Sequence, residues 1–262
     1  RTAGRTEGLT GPLTIYGVSI PQGCWPLFAF DMTTILIDGN SVGYAEHYAT
    51  KLRSGNLETQ AIFGFMRKVR EMRLAYPNCT LLVLWDGRAQ FRFDMLPTYK
   101  SNRDDDPKKA KIKQAYVEQR PYIGRALSFL GVRQVTASNL EADDLAGYFV
   151  GRFDGTTETI VLLSSDRDWI QLVRPGVIWR DPRKDGVTIT DADFFDKTGY
   201  KTPLAYLEGK CLQGDTSDVV PGVGGIGEGR ASLILAEFGS VMEFWRKVDS
   251  GEHVPKKAYE IK

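Results

Sequence analysis

Residues 32–40, MTTILIDGN, run an apolar, β-rich stretch straight into an aspartate and a glycine. A strand that is apolar without alternation is one buried on both faces. The same pattern recurs along the chain. Residues 80–87, TLLVLWDG, end on Asp86, and residues 159–168, TIVLLSSDRD, end on Asp166 and Asp168. A fourth run, Val132–Thr136, leads through a short loop into residues 139–148, NLEADDLAGY, which carry Glu141, Asp143 and Asp144. Helical periodicity fills the intervals at Leu57–Ala75, about Lys108–Leu130 and Asp143–Arg152. Alternating strands and helices of this kind predict an α/β fold, a central parallel-dominated twisted sheet flanked by helices. Val177–Arg180 and Val187–Thr190 are expected as edge strands or a hairpin, and from Asp191 the pattern is mainly helical, with a Gly-rich interruption at 221–229.

At 262 residues, 42% hydrophobic and 26% charged, the chain has the composition of an ordinary globular protein. No stretch approaches 18 uninterrupted apolar residues, which argues against a membrane helix. The cysteines, Cys24, Cys79 and Cys211, are odd in number and unpatterned, which disfavours a disulfide framework or a zinc site and suits a cytoplasmic location. Net charge is only +1, but Arg88–Arg133 holds 11 Lys/Arg against 5 Asp/Glu. A basic zone separate from acidic points suits a protein that grips a polyanion and holds cations beside it; a solvated helical face is the alternative.

Residues 1–31 show no sustained period and lack the basic start and apolar core of a secretory signal. They are expected to be an extension, tag or leader outside the fold. Residues 32–190 then form the α/β core, and residues 191–262 a helical region.

In open α/β sheets, ligands sit beyond the carboxyl ends of the strands. Asp38, Asp86, Glu141, Asp143, Asp144, Asp166 and Asp168 should therefore converge on one rim. Two like charges 4 Å apart repel by roughly 4 kcal/mol at an effective dielectric near 20, so such a rim needs protons or a metal. An all-oxygen donor set suits Mg²⁺ or Mn²⁺, and the presence of only two histidines, His47 and His253, disfavours zinc. Taken singly, each acid has a plainer reading. Ser138-x-x-Glu141 fits a capping box, Asp143 and Asp144 suit a helix N-terminus, and Asp-Gly at 38–39 and 86–87 suits turns. Recurrence after four strands, with a further cluster GDTSD holding Asp215 and Asp218, favours the metal.

GVGGIG, residues 222–227, matches a dinucleotide-binding spacing, but a helical stretch, Leu204–Leu212, precedes it where a strand is required. A helix–hairpin–helix element at about 204–240 is the better expectation. There Gly222, Gly224, Gly225 and Gly227 would let backbone N–H groups approach phosphates, with Arg230 on the following helix. A plain Gly-rich turn is the other reading.

Together, IDGN, WDG, FRFDMLPTYKSNRD, LEADDLAG, SSDRDW and GDTSDVVPGVGGIG resemble, in order, the motifs of the structure-specific 5′ nuclease (flap endonuclease) family. The likeness is greatest to phage 5′-3′ exonucleases and to the 5′ nuclease domain of bacterial DNA polymerase I, and it covers about residues 33–248. It implies a PIN-like core and a metal-dependent hydrolase of 5′-flap, branched or 5′-ended duplex DNA in replication or repair. It also implies one metal group drawn from Asp38, Asp86, Glu141, Asp143 and Asp166, and a second using Asp168, Asp215 and Asp218, with Asp144 acting through water. Lys100 and Arg103 match the family's basic pair at the scissile phosphate, with Arg92 as a weaker basic candidate. Tyr44 matches a base-stacking aromatic, with core packing as the alternative. Residues of about 100–125, including Lys108, Lys109, Lys111 and Lys113 interleaved with Tyr116 and Tyr122, match the helical arch that tracks a single strand. Carbonyls of Val219, Val220 and Val223 match a K⁺ site. RNA-primer hybrids are a further implied substrate, and a monomer the implied state. A PIN-type ribonuclease and a non-catalytic DNA-junction-binding protein are the competing readings.

Overall fold

The computed structural model describes residues 13–15, 18–19, 33–49, 51–104, 107–153, 158–183 and 187–252. An eight-stranded sheet organises the chain. Its strands are β1 (Leu13–Ile15), β2 (Val18–Ser19), β3 (Thr33–Asp38), β6 (Thr80–Trp85), β7 (Arg133–Ala137), β8 (Thr159–Leu163), β9 (Val177–Arg180) and β10 (Thr188–Ile189). The spatial order is β10-β9-β8-β3-β6-β7-β1-β2. The five strands from β9 to β7 run parallel, with β3 central between β6 and β8. β10 closes one edge as an antiparallel hairpin partner of β9, as expected. A separate small hairpin joins β4 (Arg53–Ser54) to β5 (Leu57–Glu58), so Leu57 lies in a strand, not at the start of the next helix.

The helices are α1 (Gly39–Ala49), α2 (Gln60–Ala75), α3 (Gln90–Met95), α4 (Pro107–Phe129), α5 (Ala142–Gly151), α6 (Phe194–Thr198), α7 (Pro203–Gln213), α8 (Glu228–Phe238) and α9 (Val241–Asp249). Alternation along β3 divides two cores. Leu36 joins Leu84, Leu145, Leu162 and Trp169 on one face, while Ile35 and Ile37 join Phe65, Val83, Tyr116 and Leu127 on the other. That period of two, with both sides apolar, is why the strands read as continuous hydrophobic runs. A third cluster, Leu212, Ile226, Ala231, Ile234 and Phe244, holds the α7–α8–α9 region.

Two sequence expectations need correction. Part of the 1–31 segment belongs to the sheet: Leu13–Ile15 pairs antiparallel with Val135–Ala137. β7 would otherwise present an open row of N–H and C=O groups, which a short antiparallel strand satisfies even from a poorly patterned sequence. The segment expected as a helical arch, about 100–125, shares its long helix with the core. Ser101–Asp104 forms a 3-10 turn, and α4 then runs to Phe129, with Tyr116, Ile123 and Leu127 fully buried against the sheet. Tyr116 is therefore a core residue and not part of a strand-tracking surface. Asp105 and Asp106 lie outside the described residues, as do the side chains of Arg103, Lys108 and Lys109.

Candidate active site and nucleic-acid interface

Each carboxylate of the rim is delivered by a strand end or a helix start. Asp38 closes β3 and is buried; its Oδ1 accepts the Ser41 N–H at 2.9 Å and its Oδ2 the Ser164 hydroxyl at 2.8 Å. Asp86 follows β6 and accepts from Asn40 Nδ2 at 2.7 Å and from the Ala142 N–H at 2.8 Å, which ties the first turn of α5 to the end of β6. Asp166 follows β8 and caps a 3-10 turn, Arg167–Leu172, by accepting the Asp168 N–H at 2.8 Å. Glu141 is the N-cap of α5, and Asp144 reaches back to accept the Glu141 N–H at 2.9 Å. The capping pair is thus Glu141 with Asp144, three residues later than the expected Ser138–Glu141 pair. Asp143 accepts the indole N–H of buried Trp169 at 2.6 Å.

These acids crowd one another. Burial raises the Asp38 carboxyl to about 7, with Asp86 and Asp166 adding to the rise against the Ser41 and Ser164 hydrogen bonds. Burial likewise raises Asp143 to about 8, reinforced by the charges of Asp166 and Asp38. Asp166 is raised as well, first by lost hydration and then by Asp168 against the capping N–H. Asp215 behaves oppositely: hydrogen bonds from Ser217 and Asp218 outweigh its partial burial and lower it.

Cations meet the same rim. Lys100 Nζ lies 2.6 Å from Glu141 Oε1 and 3.7 Å from Asp218 Oδ2. Its backbone takes a left-handed φ of 57°, held where its N–H bonds the Asp218 carbonyl at 2.9 Å. That turn stitches YKSNR to GDTSD, segments more than a hundred residues apart in sequence. Arg92 was expected as a DNA contact; here it is a clamp, donating to both oxygens of Asp144 at 2.8 and 2.7 Å and lying 3.3 Å from Glu141. Its bidentate geometry matches a carboxylate as well as a phosphate, so motif spacing alone could not separate the two roles. Lys210 on α7 pairs with Asp168 at 2.9 Å, and Tyr206 donates to the Arg167 carbonyl at 3.0 Å, docking the helical region on the rim. An open cleft of about 700 Å³ lies between Arg92, Glu141, Asp143, Asp168, Lys210 and Asp218.

Among the described residues, no three His, Cys, Asp or Glu side chains are drawn together tightly enough to hold an ion. Arg92, Lys100, Trp169 and Lys210 hold four of the carboxylates instead, so the two expected ligand sets are not assembled as such. The donor chemistry nevertheless fits a hard divalent cation. All the groups are carboxylate oxygens on one rim, and Asp38 and Asp143, raised first by burial and then by neighbouring like charge, are groups whose ionised form a cation would favour.

Tyr44 packs on Tyr116 with ring centroids 4.1 Å apart, the core-packing alternative. Lys111 and Lys113 are exposed on the first turns of α4. α7 and α8 flank the Gly-rich loop as expected, with Gly227 at the N-cap of α8. A Cβ at Gly222 would lie 2.1 Å from the Gln213 carbonyl oxygen, so only glycine fits that close approach. Asp215 and Val220 exchange backbone hydrogen bonds at 2.8 Å in each direction, and Val219 takes a φ of 59°. Arg230 donates to the Gly225 carbonyl at 2.6 Å, bracing the loop. Asn40, Tyr99, Ser164, Trp169 and Lys210 are site residues that the sequence did not single out. Asn40, Tyr99, Ser164 and Trp169 fall inside the quoted motifs without a role having been given to them, and nothing pointed to Lys210.

The sheet is open and mainly parallel, with acids on its carboxyl rim and the Lys100 turn laid across them. The fold matches T5 5′-exonuclease bound to zinc, with a TM-score of 0.72 at 23% identity, covering 87% of this chain and 82% of that one. It also matches a T5 flap endonuclease complexed with DNA and metal ions (0.70, 24%, covering 87% and 82%) and flap endonuclease-1 of Methanococcus jannaschii (0.53, 18%, covering 82% and 73%). The model of the 5′-3′ exonuclease N-terminal, resolvase-like domain matches residues 33–199. The thermostable DNA polymerase I of Thermus filiformis is 31% identical over 229 residues, covering 86% of this chain. DNA polymerase I of Bacillus subtilis (strain 168) is 30% identical over 238 residues, covering 87%. The chain belongs to the 5′-3′ exonuclease family. It spans 26% of the length of each of these two polymerases.

Proposed function

We propose that this chain is a metal-dependent, structure-specific 5′ nuclease that hydrolyses phosphodiester bonds of DNA bearing a 5′ flap, a branch or a free 5′ end. The observation that carries the proposal is the convergence of Asp38, Asp86, Glu141, Asp143 and Asp166 on one sheet rim, with Lys100 reaching 2.6 Å from Glu141. Mg²⁺, with Mn²⁺ as substitute, would be held by those five carboxylates and, in a second group, by Asp168, Asp215 and Asp218, with Asp144 contributing through water. Divalent ions bound there would supply an activated water and neutralise charge on the phosphate. Lys100 is poised to exchange Glu141 for the scissile phosphate and, with Arg103, to stabilise charge building on its oxygens. Lys108, Lys109, Lys111 and Lys113 would track the single strand electrostatically. The N–H groups at Gly222–Gly227 would hold duplex phosphates without reading bases. K⁺ at the carbonyls of Val219, Val220 and Val223, action on RNA-primer hybrids, a monomeric state and a cytoplasmic setting in replication or repair belong to the same proposal.

The test is a 5′-flap duplex labelled at its 5′ end, incubated with Mg²⁺ or with EDTA. The expected result is a product cut at the junction in Mg²⁺ alone. No metal-dependent product at high enzyme concentration would overturn the reading, and preference for a matching RNA flap would favour a ribonuclease.

A further inference from the structure

Tyr116 sits on α4, the helix whose first turns carry the arch lysines, yet its side chain points inward and is 1% exposed. Room for the ring exists because residue 43 is glycine: a Cβ there would fall 2.4 Å from the phenol oxygen. The hydroxyl lies 3.2 Å from Asn40 Oδ1 and 3.3 Å from the Gly39 carbonyl oxygen. Both neighbours are acceptors, so the phenol is the donor. Burial pushes its pKa up and keeps that proton in place. The other end of the Asn40 amide, Nδ2, donates to Asp86 Oδ2 at 2.7 Å, and Asp86 Oδ1 accepts the Ala142 N–H at 2.8 Å. A primary amide has one accepting and one donating end: the Asp86 carboxylate takes the donor, and the Tyr116 hydroxyl anchors the accepting end. The chain of contacts crosses four elements: α4, the β3–α1 junction, the end of β6 and the start of α5.

We infer that Tyr116 is a positioning residue for Asp86: acting through Asn40, it fixes the direction of that carboxylate, so that seating α4 on the sheet sets one oxygen group of the rim. The inference rests on the reading of Asp86 as a metal-holding carboxylate under the proposed function. Neither Tyr116 nor Asn40 need touch DNA or metal. Without the hydroxyl, the Oδ1 end of the Asn40 amide loses its anchor, so its Nδ2 bond to Asp86 is held less firmly in direction and the carboxylate gains freedom to turn.

Tyr116→Phe keeps the ring packed on Tyr44 and removes only the hydroxyl. Mn²⁺ affinity of the whole chain, read by EPR of the free ion, is expected to fall by about tenfold, the usual scale for groups that orient a ligand. Half-saturating Mg²⁺ for flap cleavage should rise in parallel, while kcat at saturating Mg²⁺ and KM for the flap stay near wild type. Asn40→Ala should reproduce the shift, and the double variant should be no worse than Asn40→Ala alone. Unchanged Mn²⁺ affinity in Tyr116→Phe, or losses that simply add in the double variant, would overturn the inference. Should Tyr116→Phe fail to fold, Asn40→Ala, at a half-buried position, decides the matter, and an unchanged Mn²⁺ affinity there overturns the inference equally. A wild-type protein that neither binds Mn²⁺ nor cuts a flap would overturn both readings, whereas a cleaving wild type with an indifferent Tyr116→Phe overturns this one alone.

Discussion

Asp38→Asn should stabilise the metal-free protein above neutral pH while abolishing cleavage. In the folded state, burial and then the charges of Asp86 and Asp166 raise the Asp38 carboxyl from an ordinary 3.8 to about 7, against its bonds from Ser41 and Ser164. Between those values the folded protein holds a proton that the unfolded chain has released. Stability from this group is therefore fully present below pH 3.8 and is lost as the pH rises to about 7. At about 1.4 kcal/mol per pKa unit, the loss from this carboxyl alone approaches about 4 kcal/mol at pH 8. Asparagine keeps an oxygen for the Ser41 N–H, while the Ser164 hydroxyl, which already accepts the Asp166 N–H, loses its carboxylate acceptor, a pH-independent cost that leaves the pH dependence as the signal. Urea unfolding in EDTA at pH 4, 6 and 8 should show the variant no more stable than wild type at pH 4 and gaining on it progressively above. Saturating Mg²⁺ should then narrow the gap by stabilising only the wild type. A wild-type-minus-variant difference that stays flat from pH 4 to 8 would refute a carboxyl raised by burial at Asp38.

Arg92→Gln loses two charge-assisted bonds to Asp144, which solvent screens in part because both side chains are about a quarter exposed; it should destabilise by about 2 kcal/mol in urea unfolding. An unchanged urea midpoint would contradict the clamp. Lys100→Ala should lower single-turnover flap cleavage by about two to three orders of magnitude with little change in flap affinity, and a normal rate would remove Lys100 from the reaction. Gly222→Ala, whose Cβ collides with the Gln213 carbonyl, should weaken duplex binding by about tenfold, or about 1.4 kcal/mol, in fluorescence anisotropy. Undiminished binding would mean that the loop does not hold duplex DNA.

The strands were legible because apolar runs buried on both faces leave few alternatives, and 80–85, 159–163 and 177–180 are observed as expected. The acids at their ends were legible because topology alone brings the carboxyl ends of parallel neighbours together. Tyr116 was misread because a tyrosine among lysines looks like a surface residue. Its burial depends on the glycine at position 43, 73 residues earlier and on another helix. The hold of Arg92 on Asp144 was not legible either, since a guanidinium suits phosphate and carboxylate alike and only the fold shows which carboxylate is within reach.

Local pattern by itself determined the parallel strands and the acids at their ends, though not the β1–β2 edge, because side-chain periodicity and strand-end chemistry are written within a few residues. Tertiary structure alone decided how those acids are held. It pairs Asp144 with Arg92, Glu141 with Lys100, Asp168 with Lys210 and Asp86 with Asn40, across separations of 52, 41, 42 and 46 residues. Hydrogen bonds and charge pairs act over a few ångströms in space, so their partners cannot be read from neighbours along the chain.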